Sequence, residues 1–200
     1  QWPDELAYKG TIPNGDLFFF NDGIGYLLNL PDSTDSEHEH PLQHTQIKKT
    51  GFSHALKLQF KNSLPLNWKA IDKSSNYFNF LYGNDSAKWH SKLHTSQQLL
   101  AKNTYPGIDV RLILHPKTGF KYEFIVAKET NYKQIQLSFE GAEKIEIINN
   151  ELHIETSVGT IIEKPPFSYQ LINGKRKKIE CKYVITVSYT HLRAHETSLH

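Results

Sequence analysis

The densest set of side chains able to hold a metal lies in residues 31–50, PDSTDSEHEHPLQHTQIKKT, where His38, His40 and His44 stand beside Asp35, Glu37 and Glu39. In an extended chain, H-x-H projects two imidazoles to one face. A third ligand from the return of the loop would complete a set suited to Zn²⁺ or Cu²⁺. A working site also needs neighbours that fix each ring, and this polar stretch, with no apolar periodicity, supplies none. It reads as a solvated surface loop, and no metal ligand is assigned in it.

The other reactive side chains are scattered. His54 alternates with Leu56, which places it half-buried and hydrogen-bonded on a strand, while His90 and His94 flank an irregular segment after Trp89. The single cysteine, Cys181, shares an alternation with Ile179 and Tyr183 and reads as a small core residue; alone, it can form no internal disulfide. Asp109 follows the Pro106-Gly107 turn, where a carboxylate accepts turn N–H bonds. No Gly-x-Ser-x-Gly elbow, His-Glu-x-x-His pair or Gly-rich phosphate loop occurs. No catalytic, cofactor-binding or metal-ligating residue is assigned, and no cofactor is expected.

The elements that would position such residues are strands. Leu56, Leu58 and Phe60 alternate with polar neighbours, as do Phe120, Tyr122, Phe124 and Val126, then Ile135, Leu137 and Phe139, then Ile145 and Ile147, and Leu152 and Ile154. This period of two predicts half-buried antiparallel strands. Asn173-Gly174 is a strong type I′ hairpin signal between PFSYQLI and a strand over 178–185. Asn149-Asn150, Asn21-Asp22-Gly23 and Lys117-Thr118-Gly119 mark further hairpins, and Pro165-Pro166 a strand entry or edge. Asn84 or Asp85 could cap a single helical turn. The fold class expected is all-β, with antiparallel sheets packed as a sandwich, in one unit or in two subdomains split near residues 62–76 or 100–106. Residues 15–29 and 54–60 weakly echo residues 108–126 and 133–141, each a hairpin followed by an alternating strand.

Two hundred residues, 38% hydrophobic and 12% aromatic, suffice for one globular core. A net charge of +2 argues against nucleic acid as a partner, and the run Lys175-Arg176-Lys177-Lys178 reads as a solvated hairpin end. No apolar run approaches the ~18 residues of a membrane span.

Taken in order, GDLFFFNDGIGYLL, FSHALKLQF, NYFNFLYGNDSAKW, NTYPGIDVRLILHPKTGFKYEFIV, IQLSFEGAEKIEI and TSVGTIIEKPPFSYQLINGKRKKIECKYVI resemble a domain of unknown function near the N-terminus of large secreted bacterial proteins. There it precedes SBBP-type β-propeller repeats, Ig-like or PKD-like modules, and often a gliding-motility-associated or type IX secretion sorting segment at the C-terminus. The resemblance spans residues 1–186 and carries no site residues over. It implies an exported, extracellular or cell-surface β module of a modular protein. The first expectation is a non-enzymatic structural or adhesive domain, partnered by downstream propeller or Ig-like domains of the same chain, or binding a surface glycan or protein. Trp2, Trp68 and Trp89 and ten tyrosines could stack on sugars, but core packing explains most of this aromatic content. The competing expectation is an accessory or catalytic domain of a hydrolase of extracellular polymers. Residues 187–197, VSYTHLRAHET, look like translated sequencing adapter, so residues 187–200 are expected to be a non-native tail and the start to be clipped.

Overall fold

The computed structural model describes residues 6–30, 52–80, 90–115, 117–186 and 190–194. The His38–His44 loop, Trp2, Trp89 and the Asn84–Asp85 turn lie outside them. Among the described residues, eighteen strands follow one another. The first half of the chain forms β1 (Leu6–Ile12), β2 (Gly15–Phe20), β3 (Gly23–Asn29), β4 (Ser53–Phe60), β5 (Trp68–Ala70), β6 (Lys73–Phe80), β7 (His90–Ser96), β8 (Gln98–Tyr105) and β9 (Ile108–His115). The second half forms β10 (Gly119–Val126), β11 (Gln136–Glu140), β12 (Lys144–Ile148), β13 (Glu151–Thr156), β14 (Gly159–Glu163), β15 (Ser168–Ile172), β16 (Lys175–Ile179), β17 (Cys181–Ile185) and β18 (Thr190–Ala194). All pairings are antiparallel, so the all-β expectation holds.

A seven-stranded sheet runs β1-β2-β3-β4-β11-β18-β17 and a four-stranded sheet β10-β9-β8-β5. A three-stranded sheet, β12-β13-β14, and two separate hairpins, β15-β16 and β6-β7, complete the set. Register explains the core. Leu17 opposes Tyr26, Tyr26 opposes Leu56, Ile24 opposes Leu58, and Leu58 opposes Phe139, so one face of the large sheet is apolar across β2, β3, β4 and β11. The facing sheet aligns Trp68 with Ala101, Ala101 with Val110, and Val110 with Phe124. Ring contacts join the two layers: Phe19 meets Trp68 at 5.6 Å, Tyr26 meets Phe120 at 5.6 Å and Phe60 meets Phe124 at 6.0 Å. This is sandwich packing of two inner faces.

The core does not divide at either place proposed for a subdomain boundary. One cluster of buried residues runs through all three larger sheets, from Leu17 and Leu58 through Val110 and Leu112 to Leu152 and Ile154. Residues 61–67 cross between the layers and are stitched to both. Lys61 N donates to Gln136 O at 2.9 Å, Leu64 N to Thr104 O at 2.8 Å, and Leu66 N to Asn21 O at 2.6 Å. Residues 100–106 lie at the end of β8 and in its turn to β9.

The turn chemistry is as expected. Asn149, Asn150, Asn173 and Gly174 all have φ between 50° and 75°, the left-handed region a type I′ turn requires. The echo between the two halves extends to the hairpins β2-β3 and β9-β10, but the third strands differ: β4 pairs with β3, whereas β11 leaves β10 and pairs with β4. The strand expected over 178–185 is two strands. The chain leaves β16 at Ile179, and after Glu180 begins β17 in a different sheet. Thr190–Ala194, in the stretch expected to be a non-native tail, forms β18, with Ile185 opposite Thr190 on one side and Leu137 opposite Thr190 on the other.

Candidate functional site

The most unusual chemistry sits where the three larger sheets meet. In β14, Ile161 opposes Ile154 and Glu163 opposes Leu152, so Glu163 takes an inward position of an apolar face. Its Oε2 accepts a hydrogen bond from Tyr122 OH at 2.6 Å and another from Tyr183 OH at 3.2 Å. Tyr122 comes from β10, in the four-stranded sheet, and Tyr183 from β17, in the large sheet. Tyr183 OH also lies 3.2 Å from Lys164 O. Tyr26, on β3, completes the group: its hydroxyl is buried, with no hydrogen-bond partner among the described residues.

Glu163 is half-buried as a residue, and its carboxyl is held by the hydroxyls of Tyr122 and Tyr183. Burial pushes the carboxyl above its ordinary range, and the hydrogen bonds from Tyr122 and Tyr183 pull it back only in part. Burial, reinforced by the charge on Glu163, likewise raises all three phenols well above their ordinary range. Because it accepts from tyrosines of two other sheets, the carboxyl works as a polar knot between three sheets. Tyr105 makes a second tie of this kind: its hydroxyl donates to Gln136 O at 3.2 Å, and burial lifts the phenol to about 12.

A second constellation has the outline of a nucleophile and base. His54 Nε2 lies 2.8 Å from Gly141 O, which can only accept, so Nε2 carries the proton and Nδ1 is bare. Ser157 Oγ then donates to Nδ1 at 2.9 Å, and Ser157 N does so at 3.3 Å. Two donors share one lone pair, and the orienting group is a neutral carbonyl that does less than a carboxylate to stabilise an imidazolium. The arrangement fastens the β13-β14 turn to β4, which suits the half-buried, hydrogen-bonded histidine expected at position 54.

The remaining expected residues are structural. Asp109 Oδ1 accepts from Asn103 N at 2.7 Å, across the turn it was expected to serve. His94 Nδ1 pairs with Ser74 O at 3.0 Å. Cys181 is only half-buried, because the chain changes sheets just before it. Trp68 is core, its Nε1 donating to Phe20 O at 2.9 Å, so it offers no sugar platform. No cluster of three or more potential metal ligands occurs among the described residues.

Sequence reasoning passed over Glu163 and its tyrosines. The signal was present: in GTIIEKPP, the alternation through Ile161 puts a carboxylate in apolar phase. The outer surface carries a different feature. Phe167 and Leu171 are 69% and 68% exposed beside the β15-β16 hairpin, and Tyr77 and Phe78 are exposed on β6-β7.

Against known proteins, a family model described as a domain of unknown function, DUF7948, matches residues 1–197, which takes in β18. No curated protein and no solved structure matches the chain.

Proposed function

The chain belongs to that family, and from this premise we propose that it is a non-catalytic structural and adhesion module of a large secreted or cell-surface protein. Its partners in this reading are downstream domains of the same polypeptide, β-propeller or Ig-like, together with a surface ligand. The observation that carries the reading is where apolar side chains are left outside. Tyr169, Leu171, Tyr77, Phe78 and Leu93, with Phe167 just before β15, stand exposed on two hairpins that pair with no other strand among the described residues. Apolar surface gathered on projecting elements marks contact with another surface. The buried carboxyl, by contrast, is engaged in joining sheets.

A second reading, a hydrolase of extracellular polymers, is favoured by the Ser157–His54 contact alone. One experiment separates the two. The purified chain is incubated with a panel of polysaccharides and esters and with a fluorophosphonate probe. The module reading expects no product above the blank and no labelling of Ser157. Turnover abolished by Ser157→Ala would overturn it.

A further inference from the structure

We propose that the β15-β16 hairpin is a docking edge that receives an extended acidic β-strand of a partner polypeptide, added alongside β15. The inference rests on the module reading and supplies the chemistry of one partner.

The backbone is the first support. A two-residue Asn173-Gly174 turn makes Ile172 and Lys175 a hydrogen-bonded pair, so Gln170–Lys177 and Ser168–Ile179 are hydrogen-bonded too. The intervening residues, Tyr169 and Leu171 on β15 and Arg176 and Lys178 on β16, then turn their N–H and C=O groups away from the hairpin. No described residue bonds to those outward groups. A two-stranded hairpin is marginal by itself, and a third strand would complete it.

The side chains choose the edge. β16 presents Lys175, Arg176, Lys177 and Lys178, the charge pattern that guards an edge against pairing. Residues 165–172, PPFSYQLI, hold no charge, and Tyr169 and Leu171 lie on one face. The β15 edge is thus the unguarded one, with exposed apolar anchors to pair with.

Charge chooses the partner. The segment 165–179 has four cations and no acid. Arg176 reaches across the hairpin, its guanidinium carbon 4.7 Å from the Tyr169 ring centre, which puts a positive charge above β15. A strand added there lies about one strand spacing, ~4.8 Å, away, close enough for its acidic side chains to meet that guanidinium. A second copy of this edge would bring arginine against arginine. A glycan would find a face of Tyr169 taken by Arg176, the neighbouring Phe167 ring tilted 44° from Tyr169 rather than coplanar with it, and in Leu171 no ring to stack.

The test uses the whole chain and a fluorescent peptide alternating glutamate and valine, followed by anisotropy. Controls are the same peptide with proline at its centre, polyglutamate, and polygalacturonate. We expect saturable binding that weakens about ten-fold or more with the proline peptide, which keeps the charge but cannot extend the ladder. Leu171→Pro removes an outward donor without touching the hairpin's own ladder. It should weaken binding by a similar factor with an unchanged far-UV spectrum. Arg176→Glu should also weaken binding, and should bind a lysine–valine peptide instead; this arm stands if Leu171→Pro fails to fold. No saturable binding, equal binding of the proline peptide, or tighter binding of polyglutamate or polygalacturonate would overturn the proposal. Those outcomes leave the module reading standing, since it falls only on turnover.

Discussion

Glu163 holds a position where the strand pattern asks for an apolar side chain, and its neighbours set the outcome. Burial raises the folded-state pKa, so the folded chain resists losing a proton that the unfolded chain gives up near its ordinary value of about 4.3. Below that value both states are protonated and the folded form bears no penalty. As pH rises, stability falls, and the fall ends once pH passes the raised folded value. Glu163→Gln, which keeps a carbonyl acceptor and never ionises, should abolish this slope and raise the melting temperature at pH 7, as read by thermal melts across pH. Glu163→Leu leaves the buried Tyr122 hydroxyl unsatisfied and should cost about 1–3 kcal/mol in chemical denaturation. This residue was legible in principle, because its phase is apolar. Its three tyrosines were not, since their meeting depends on how three separate sheets stack.

Among the elements, hairpins were the most readable. Asn149-Asn150 and Asn173-Gly174 carry their own backbone instructions, and the structure places turns at both. The extent of the strand through Ile179, Cys181 and Tyr183 was not readable. Alternation continues unbroken through Glu180 while the chain changes partner from β15 to β18, and side-chain phase says nothing about which strand lies beside. Local stability should follow that partition. β15 and β16 are exposed along nearly their whole length, whereas β3 and β4 lie inside the large sheet over a buried face. In native-state hydrogen exchange, amides of β15-β16 should exchange through local opening well before those of β3 and β4, which open with the whole molecule. Equal protection of the two hairpins would contradict this.

At the scale of the whole molecule, composition and period gave the sandwich, but sheet order required contacts distant in sequence. β11 sits beside β4, not beside β10, because Leu137 and Phe139 extend the apolar face begun by Phe60 and Leu58. With one continuous core, damage to either layer should be felt by both. Leu58→Ala, at a fully buried position, should cost about 2–5 kcal/mol and leave a single calorimetric transition. Two resolved transitions would restore the two-subdomain arrangement. The route of the chain near Glu163 has one further consequence. Glu163 and Tyr183, twenty positions apart, join by the 3.2 Å hydrogen bond, and the chain leaves the larger sheets after Glu163 and rejoins them at Cys181, just short of Tyr183. The β15-β16 hairpin is therefore an interchangeable head on a closed collar. Its length and sequence can change freely while the collar holds, so partner choice can drift without any rebuilding of the body beneath.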